Sequence, residues 1–442
     1  MDKAKSFCIS KWEVWEAYKR VKANQGAGGL DGQSIAEFEE GLKDNLFKIW
    51  NRMSSGSYFP PPVRRVDIPK DNGGTRPLGI PTVADRIAQM VAKRYLEPIL
   101  EEHFHPDSYG YRPRKSAIEA IGVARQRCWR YDWVLDLDIK GFFDNIDHEL
   151  LMRAGRKHTD CKCVLLYIER WLKAPVQLED GSLIHRDKGT PQGGVISPLL
   201  ANLFLHYAFD TWMKRQYTRI PFERYADDVI CHCRSKAEAE GLRVSIERRF
   251  AECGLELHLQ KTRIVYCKDD DRRGDYPEQK FDFLGYTFRP RRAKNRRGRF
   301  FVGFNPAISN KATKSICDTM RRWKLHRRTD KSLDELAHMF NPVVRGWINY
   351  YGSFHKSALY RTFQHLNNIL VRWASRKYKR LRGYYQRARQ WLQGVMHRQS
   401  SLFAHWQLSQ SKAGQQELDD GRLSRPVFGE REGEIPSRHS TI

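Results

Sequence analysis

Arg224-Tyr225-Ala226-Asp227-Asp228-Val229-Ile230-Cys231 sets two adjacent carboxylates between an aromatic-led segment and a short apolar run, and it reads as strand, turn, strand. Neighbouring side chains in a strand point to opposite faces, but at a tight turn that alternation breaks and both carboxylates can approach one cation cluster. An Asp-Asp pair is also an ordinary turn sequence. The balance is changed by Trp133-Val134-Leu135-Asp136-Leu137-Asp138-Ile139, the clearest strand in the chain. Alternation places Trp133, Leu135, Leu137 and Ile139 on one face and Val134, Asp136 and Asp138 on the other. Carboxylates on a largely apolar strand are costly unless paired or bound to metal.

The 442 residues are too many for one ordinary core, so two to four domains or subdomains are expected. Apolar residues make up 40% and aromatics 12%, which is enough for packed cores. Seventy-eight Lys and Arg against fifty-two Asp and Glu leave a net charge of +26, which points to a polyanion partner, nucleic acid above all. Nine cysteines without a C-x-x-C pair suggest neither a disulfide framework nor a zinc module. With no long apolar run and no signal-like start, the expectation is a cytoplasmic protein with no membrane partner.

Along the chain, Trp12, Trp15, Tyr18 and Val21 form an expected helical stripe, and the glycine-dense residues 24–32 read as a structural turn. Residues 63–70 and 75–80 read as a hairpin around Asp71-Asn72-Gly73-Gly74, with charges placed to meet a triphosphate. Thr82 and Asp85 have capping-box spacing, with Arg86 in the first turns of the helix that follows. Ser108-Tyr109-Gly110-Tyr111-Arg112-Pro113-Arg114-Lys115 interleaves aromatics and cations as a single-strand track does. Asp147 reads as a helix cap, and Ser197-Pro198 as the start of another helix after the glycine-rich approach that carries Gln192. Seven of the eleven residues 289–299 are Arg or Lys, and they read as a loop, mobile without phosphate, between two strands. From about Pro306 helical periodicity takes over, with a capping box at Ser332/Glu335 and separate helices expected on either side of Asn341-Pro342. The last thirty residues are poor in apolar side chains and read as disordered.

A strand bearing Asp136 and Asp138 and a turn bearing Asp227 and Asp228 can build one carboxylate cluster that repels itself without cations. Magnesium suits such oxygen ligands, and two ions about 4 Å apart can serve the attacking hydroxyl and the leaving pyrophosphate of a nucleotidyl transfer. Arg64, Lys70 and Arg86 lie upstream as candidates to neutralise a triphosphate. These are the parts of a polymerase.

The order of motifs is Arg64 to Lys70, Arg76-Pro77-Leu78-Gly79-Ile80-Pro81, Tyr109-Gly110-Tyr111-Arg112-Pro113, Asp136 to Asp144, Gly189 to Pro198, Tyr225-Ala226-Asp227-Asp228, Gly254 to Lys261 and Phe283-Leu284-Gly285-Tyr286. It resembles the reverse transcriptases of group II introns. Asn341-Pro342-Val343-Val344-Arg345-Gly346-Trp347-Ile348-Asn349-Tyr350-Tyr351 resembles the maturase, or thumb, domain of that family. The resemblance covers about residues 12–375.

It implies an α+β right-hand polymerase: a helical N-terminal extension (1–60), fingers and palm with antiparallel sheet (61–304), a helical thumb (305–375), and a basic nucleic-acid-binding segment (376–442). Asp138, Asp227 and Asp228 match the family's metal-binding triad for two Mg²⁺ ions, with Asp136 and Asp144 as alternatives for the first ligand. Arg64, Lys70 and Arg86 match contacts to the incoming deoxynucleotide, and Gln192 matches the glutamine beside it. Phe143 falls where the family excludes a ribose 2′-hydroxyl, with Phe142 as its competitor. Arg112, Arg114, Arg291, Arg292, Lys294, Arg296 and Arg297 are the expected RNA and DNA contacts.

Implied partners are the intron RNA, an RNA template with DNA primer, a DNA target and dNTPs; a homodimer is left open. The implied role joins splicing with mobility by target-primed reverse transcription. The residues after Trp406 lack the paired-cysteine and His-Asn-His motifs of the family's nuclease domain, so a primer from elsewhere is expected. Two rival readings are a splicing factor that does not need its polymerase, and a host-adapted reverse transcriptase for repair or defence.

Overall fold

The computed structural model describes residues 7–69, 74–294 and 297–408. Its chain forms two compact units, one of Met1–Ala124 with Trp133–Tyr266 and one of Arg125–Asp132 with Cys267–Ile442. The fold is α+β, as expected.

The first unit holds two sheets. One comprises β1 (Val63–Pro69), β2 (Thr75–Ile80), β4 (Val176–Gln177) and β5 (Leu183–Ile184), in the order β2-β1-β4-β5, with only β1 and β4 parallel. The other is fully antiparallel, in the order β6-β7-β3-β8, from β3 (Trp133–Leu137), β6 (Phe222–Tyr225), β7 (Asp228–Cys233) and β8 (Arg263–Tyr266). Leu135, Leu137, Val229 and Cys231 point from this sheet into a core shared with Leu242, Ile246 and Phe250 of the helix Lys236–Glu252. The strand alternation read from sequence therefore holds, and it leaves the aspartates on the opposite face. β3 ends at Leu137, so Asp138 stands just beyond the regular strand rather than inside it.

Helix boundaries follow local chemistry in most places. Asp147 caps the helix His148–Arg156 by accepting from Leu150 N at 2.7 Å. Thr82 accepts from Asp85 N, but Asp85 does not return the favour; its carboxylate is used in the core. The helix Ser197–Leu205 has Ile196, not Ser197, at its cap, and the Ser197 hydroxyl accepts from the Thr190 hydroxyl at 2.9 Å. In the helix Lys11–Asn24 the buried face is Val14, Ala17, Tyr18 and Val21. Trp12 and Trp15 are 64% and 37% exposed, so the expected stripe was drawn about a third of a turn off.

In the second unit β9 (Phe281–Phe283), β10 (Tyr286–Lys294) and β11 (Phe300–Ile308) form an antiparallel sheet in the order β11-β10-β9. Residues 289–294, expected in a loop, are strand: nine residue pairs from Tyr286↔Ile308 to Lys294↔Phe300 extend the ladder. Paired backbone outweighs like-charge repulsion because alternate cations leave on opposite faces. The helix Leu333–Lys377 begins at the Ser332/Glu335 capping box and runs through Pro342. Its break falls at His355, where φ is −151°. The Asn341 side chain, expected beside a helix end, instead accepts from Ala404 N and donates to Leu402 O.

The helical core also continues past residue 375. Leu381, Ala388, Leu392 and Val395, then Phe403 and Trp406, pack on Phe363, Leu366 and Leu370. The last thirty residues, read as disordered, lie outside the described residues, which end at 408. All nine cysteines are free. Among the described residues no helix is long and apolar enough to cross a membrane. Phe403→Ala should lower stability by about 3–5 kcal/mol, as large-to-small changes at buried aromatics do; chemical denaturation that finds less than about 1 kcal/mol would place the terminal segment outside the cooperative core.

Candidate active site

Tyr225 pairs with Asp228 across β6 and β7, so the hairpin loop is two residues, Ala226 and Asp227. Ala226 has φ 55°, a left-handed conformation that costs an L-residue about 1–2 kcal/mol. The turn is held from beneath by Arg224, which is fully buried. Its Nε and Nη2 each donate to Asp210 at 2.7 Å, and its Nη1 donates to Asn202 Oδ1 at 2.9 Å and to Ala226 O at 3.1 Å. Gly110 lies against the same turn so closely that a Cβ would sit 2.4 Å from Ala226 N. Asn202 donates to Gly110 O at 2.7 Å, and Tyr109 N donates to Arg224 O at 2.7 Å.

β3 runs antiparallel beside β7 with Leu137 opposite Val229. One step further along the register brings Asp138 opposite Asp228. Asp138 Oδ2 lies 3.2 Å from Lys261 Nζ. Asp227 is half-buried, and burial raises its carboxyl pKa; Arg76 pulls it down and Asp138 pushes it up. Asp228 is exposed. Asp136 is set back along β3, between Ile230 and Arg263, and Asp144 is exposed on the short helix Phe142–Asn145.

Among the described residues no three His, Cys, Asp or Glu side chains are gathered as they would be around an ion. The donor chemistry still fits a hard divalent cation: carboxylates meet at one sheet end, and Asp227 bears a desolvation cost that a cation would relieve. Lys261 supplies the positive charge at Asp138.

Beside the carboxylates, the glycine-rich loop is fastened by its backbone. Gly189 N and Thr190 N donate to Ile146 O and Phe143 O, and Gly79 N donates to Gln192 O at 2.7 Å. Gly189 has φ 82°, and a Cβ there would lie 2.8 Å from Asp144 O. At the far end Gln89 Oε1 accepts from Val195 N at 2.8 Å and Ile196 N at 3.3 Å, while Gln89 Nε2 donates to Asp85. The fully buried Asp85 also accepts from the Tyr58 hydroxyl and Trp171 Nε1. Burial raises the Asp85 pKa against those three donors. Neither the Asp85–Gln89 brace nor the Asp210–Arg224 pair was read from sequence. Phe142 is in the core, whereas Phe143 is half-buried beside the loop.

The family described as reverse transcriptase (RNA-dependent DNA polymerase) matches residues 68–288, and the group II intron maturase-specific domain matches residues 313–392. The chain belongs to the group II intron reverse transcriptase/maturase family. It is 31% identical over 320 residues to protein YkfC of Escherichia coli (strain K12), covering 63% of this chain and 81% of that protein. Group II intron-encoded protein LtrA of Lactococcus lactis subsp. cremoris is 40% identical over 195 residues, 43% of this chain and 32% of LtrA. Nuclear intron maturase 1, mitochondrial, of Arabidopsis thaliana is 30% identical over 93 residues, 21% of this chain and 13% of that protein. The chain thus spans most of YkfC but about a third of LtrA. As a family member it is an RNA-directed DNA polymerase joined to a maturase domain, and nucleic acid is its substrate class.

The basic residues expected at this enzyme's substrates divide by environment. Arg64, on β1 opposite Ile80 and Gln177, is half-buried with no hydrogen-bond partner for its Nε. Lys70 and Arg296 lie outside the described residues. Arg86 is buried and donates to the carbonyls of Gln25 and Ala27, so it secures the glycine-dense turn of residues 24–32 and is not presented to a triphosphate. Arg112 is likewise used internally: it grips Glu101 and donates to His105 O and Ser108 O, leaving its side chain 6% exposed. Arg114 is exposed.

In the second unit Arg291 donates to Thr287 O and Asn305 O, and burial lowers its pKa to about 10. Arg292 and Lys294 lie over the Phe300 ring, and Arg297 is exposed. A residue not singled out from sequence is Arg76, exposed on β2, whose charge reaches Asp227.

Asp227 binds a proton more readily in the folded chain than in the unfolded one. Its ionisation therefore destabilises the fold above the raised pKa and has no effect below the ordinary carboxylate value of about 3.9. Asp227→Asn should raise the melting temperature at neutral pH, with the gain disappearing as the solution is acidified; a variant no more stable than its parent at neutral pH would show that Asp227 carries no such cost.

Proposed function

We propose that the chain extends DNA primers on RNA templates by two-metal nucleotidyl transfer and binds its group II intron RNA as a maturase, supporting splicing and target-primed mobility. The observation that carries this reading is the register that brings Asp138 beside Asp228 with Asp227 at the adjoining turn. Asp138, Asp227 and Asp228 are the residues that would hold two Mg²⁺ ions. When bound, the ions would supply Lewis-acid activation of a 3′-hydroxyl and charge neutralisation at the phosphates.

The chain's own groups do the rest. Arg64, Lys70 and Arg76 bring positive charge to the triphosphate, while Gln192, on a loop pinned at both ends, orients the nucleotide. The half-buried Phe143 ring presents a wall to the sugar and rejects a 2′-hydroxyl by steric clash. In this reading residues 61–304 act as fingers and palm, and residues 305–375 act as the thumb that contacts intron RNA. Basic residues around them, Arg114, Arg292, Lys294 and Arg297 among them, contact RNA and DNA phosphates.

Asp227→Ala should abolish primer extension on RNA while leaving intron RNA binding and splicing nearly unchanged. Loss of both activities in a variant that still melts cooperatively would refute this separation of roles. For Phe143→Ala, extension assays with mixed nucleotides should find ribonucleotide incorporation raised by about tenfold or more, as expected when a steric clash of at least about 1.4 kcal/mol is removed; unchanged sugar selectivity would move the gate elsewhere.

A further inference from the structure

The first unit contains a cavity of about 380 Å³ that the polymerase reading does not use. It opens between the helices His148–Arg156, Ser197–Leu205, Thr211–Gln216 and Lys236–Glu252. Its lining includes the aromatic side chains Phe204, Tyr207 and Trp212 and the cations Arg153, Lys157, Arg215 and Arg249. Glu252 is the single acid in the lining, and it is paired with Arg249 at 3.1 Å. The remaining Arg249 donors go to Ala208 O and Tyr207 O, where the backbone is a π-helix over His206–Asp210. Such widened turns recur at functional sites.

Arg153, Lys157 and Arg215 have no ion-pair partner among the described residues, and Lys157 Nζ sits 4.6 Å from the Tyr207 ring centroid. Three unpaired cations around one cavity repel each other, a cost that a bound anion would reverse. The cavity size lies within the small-ligand range of roughly 300–1,000 Å³, so one nucleotide unit fits.

We infer that this cleft binds an RNA strand, with a backbone phosphate held by Arg153, Lys157 and Arg215 and the adjoining base packed on Tyr207 and Trp212. Cation and aromatic side by side is the pairing used by single-strand tracks. The inference rests on the reading of the chain as an intron RNA binder. Its site is nevertheless separate from polymerisation: the helix Lys236–Glu252 covers the sheet face of Leu135 and Val229, opposite to Asp136 and Asp138. The strand bound here is therefore not the template at the carboxylates but another part of a structured RNA.

The test uses the full chain and the triple variant Arg153→Ala, Lys157→Ala, Arg215→Ala. Binding to a transcript of the intron flanking the reading frame is followed across a salt series, and primer extension is measured on an unrelated RNA template. Expected are at least a tenfold loss of transcript affinity, a salt slope reduced by about 0.7 for the one lost phosphate contact, and extension within twofold of the parent. Equal affinity and slope in parent and variant would overturn the cleft while leaving the maturase reading intact.

Failure of the parent itself to bind the transcript would refute that reading. In that event a poly(U) oligonucleotide compared on the same two proteins decides the cleft. Binding of free ATP that needs these three residues, with RNA affinity unaffected, would also overturn the proposal by assigning the cleft to a mononucleotide. The charge-preserving Arg153→Lys, Arg215→Lys variant should keep most RNA affinity, and its loss there would indicate misfolding of the face and sink the phosphate assignment.

Discussion

A buried guanidinium governs the geometry of this polymerase. Arg224 makes four hydrogen bonds with no access to water: two to Asp210, one to Asn202 and one to the carbonyl of Ala226. Two desolvated charges add little net stability over a well-packed apolar pair, but once both are buried each is very costly to leave alone. The pair therefore contributes direction more than stability. It fixes where the Ala226–Asp227 turn stands and holds Ala226 in a left-handed conformation that it would not otherwise keep.

The same logic recurs at the neighbouring loops. Gly110 allows backbone to touch the turn, and Gly189 allows backbone to touch the helix that carries Phe143. Asp85, through Gln89, fastens the far end of the Gln192 loop by two backbone N–H groups. The Asp227 turn and the Gln192 loop thus rest on buried polar groups, Arg224 with Asp210 and Asp85 with Gln89, and a reacting group held in this way loses little freedom when substrate arrives. The cationic surfaces work differently. Arg86, Arg112 and Arg291 are consumed by carbonyls and carboxylates of the protein itself, so a basic composition overstates the charge offered to nucleic acid.

Much of the fold was legible because it depends on local spacing. Period-two alternation separated Leu135 and Leu137 from Asp136 and Asp138, and caps at Asp147 and Ser332 marked helix starts. Where spacing competed with long-range packing, the reading went astray. Pro342 lies inside a helix held from outside by contacts such as Asn341 to the 402–404 segment. The cationic stretch after Phe288 became strand because β11 was present to pair with it.

By itself, the sequence determined the two-carboxylate turn, the alternating strand that carries Asp136 and leads into Asp138, and the motif order that marks a group II intron reverse transcriptase, since these are properties of residue type and short-range period. Only the tertiary structure decided which charges are free. Arg224 meets Asp210 fourteen residues earlier, and Arg86 meets carbonyls 59 and 61 residues away. Pairings across such separations leave no trace in local spacing, because they are chosen by whichever partners the folded backbone brings within hydrogen-bonding reach. That choice turned three expected ligand-binding arginines, Arg86, Arg112 and Arg291, into supports and brought Arg76 towards the aspartates.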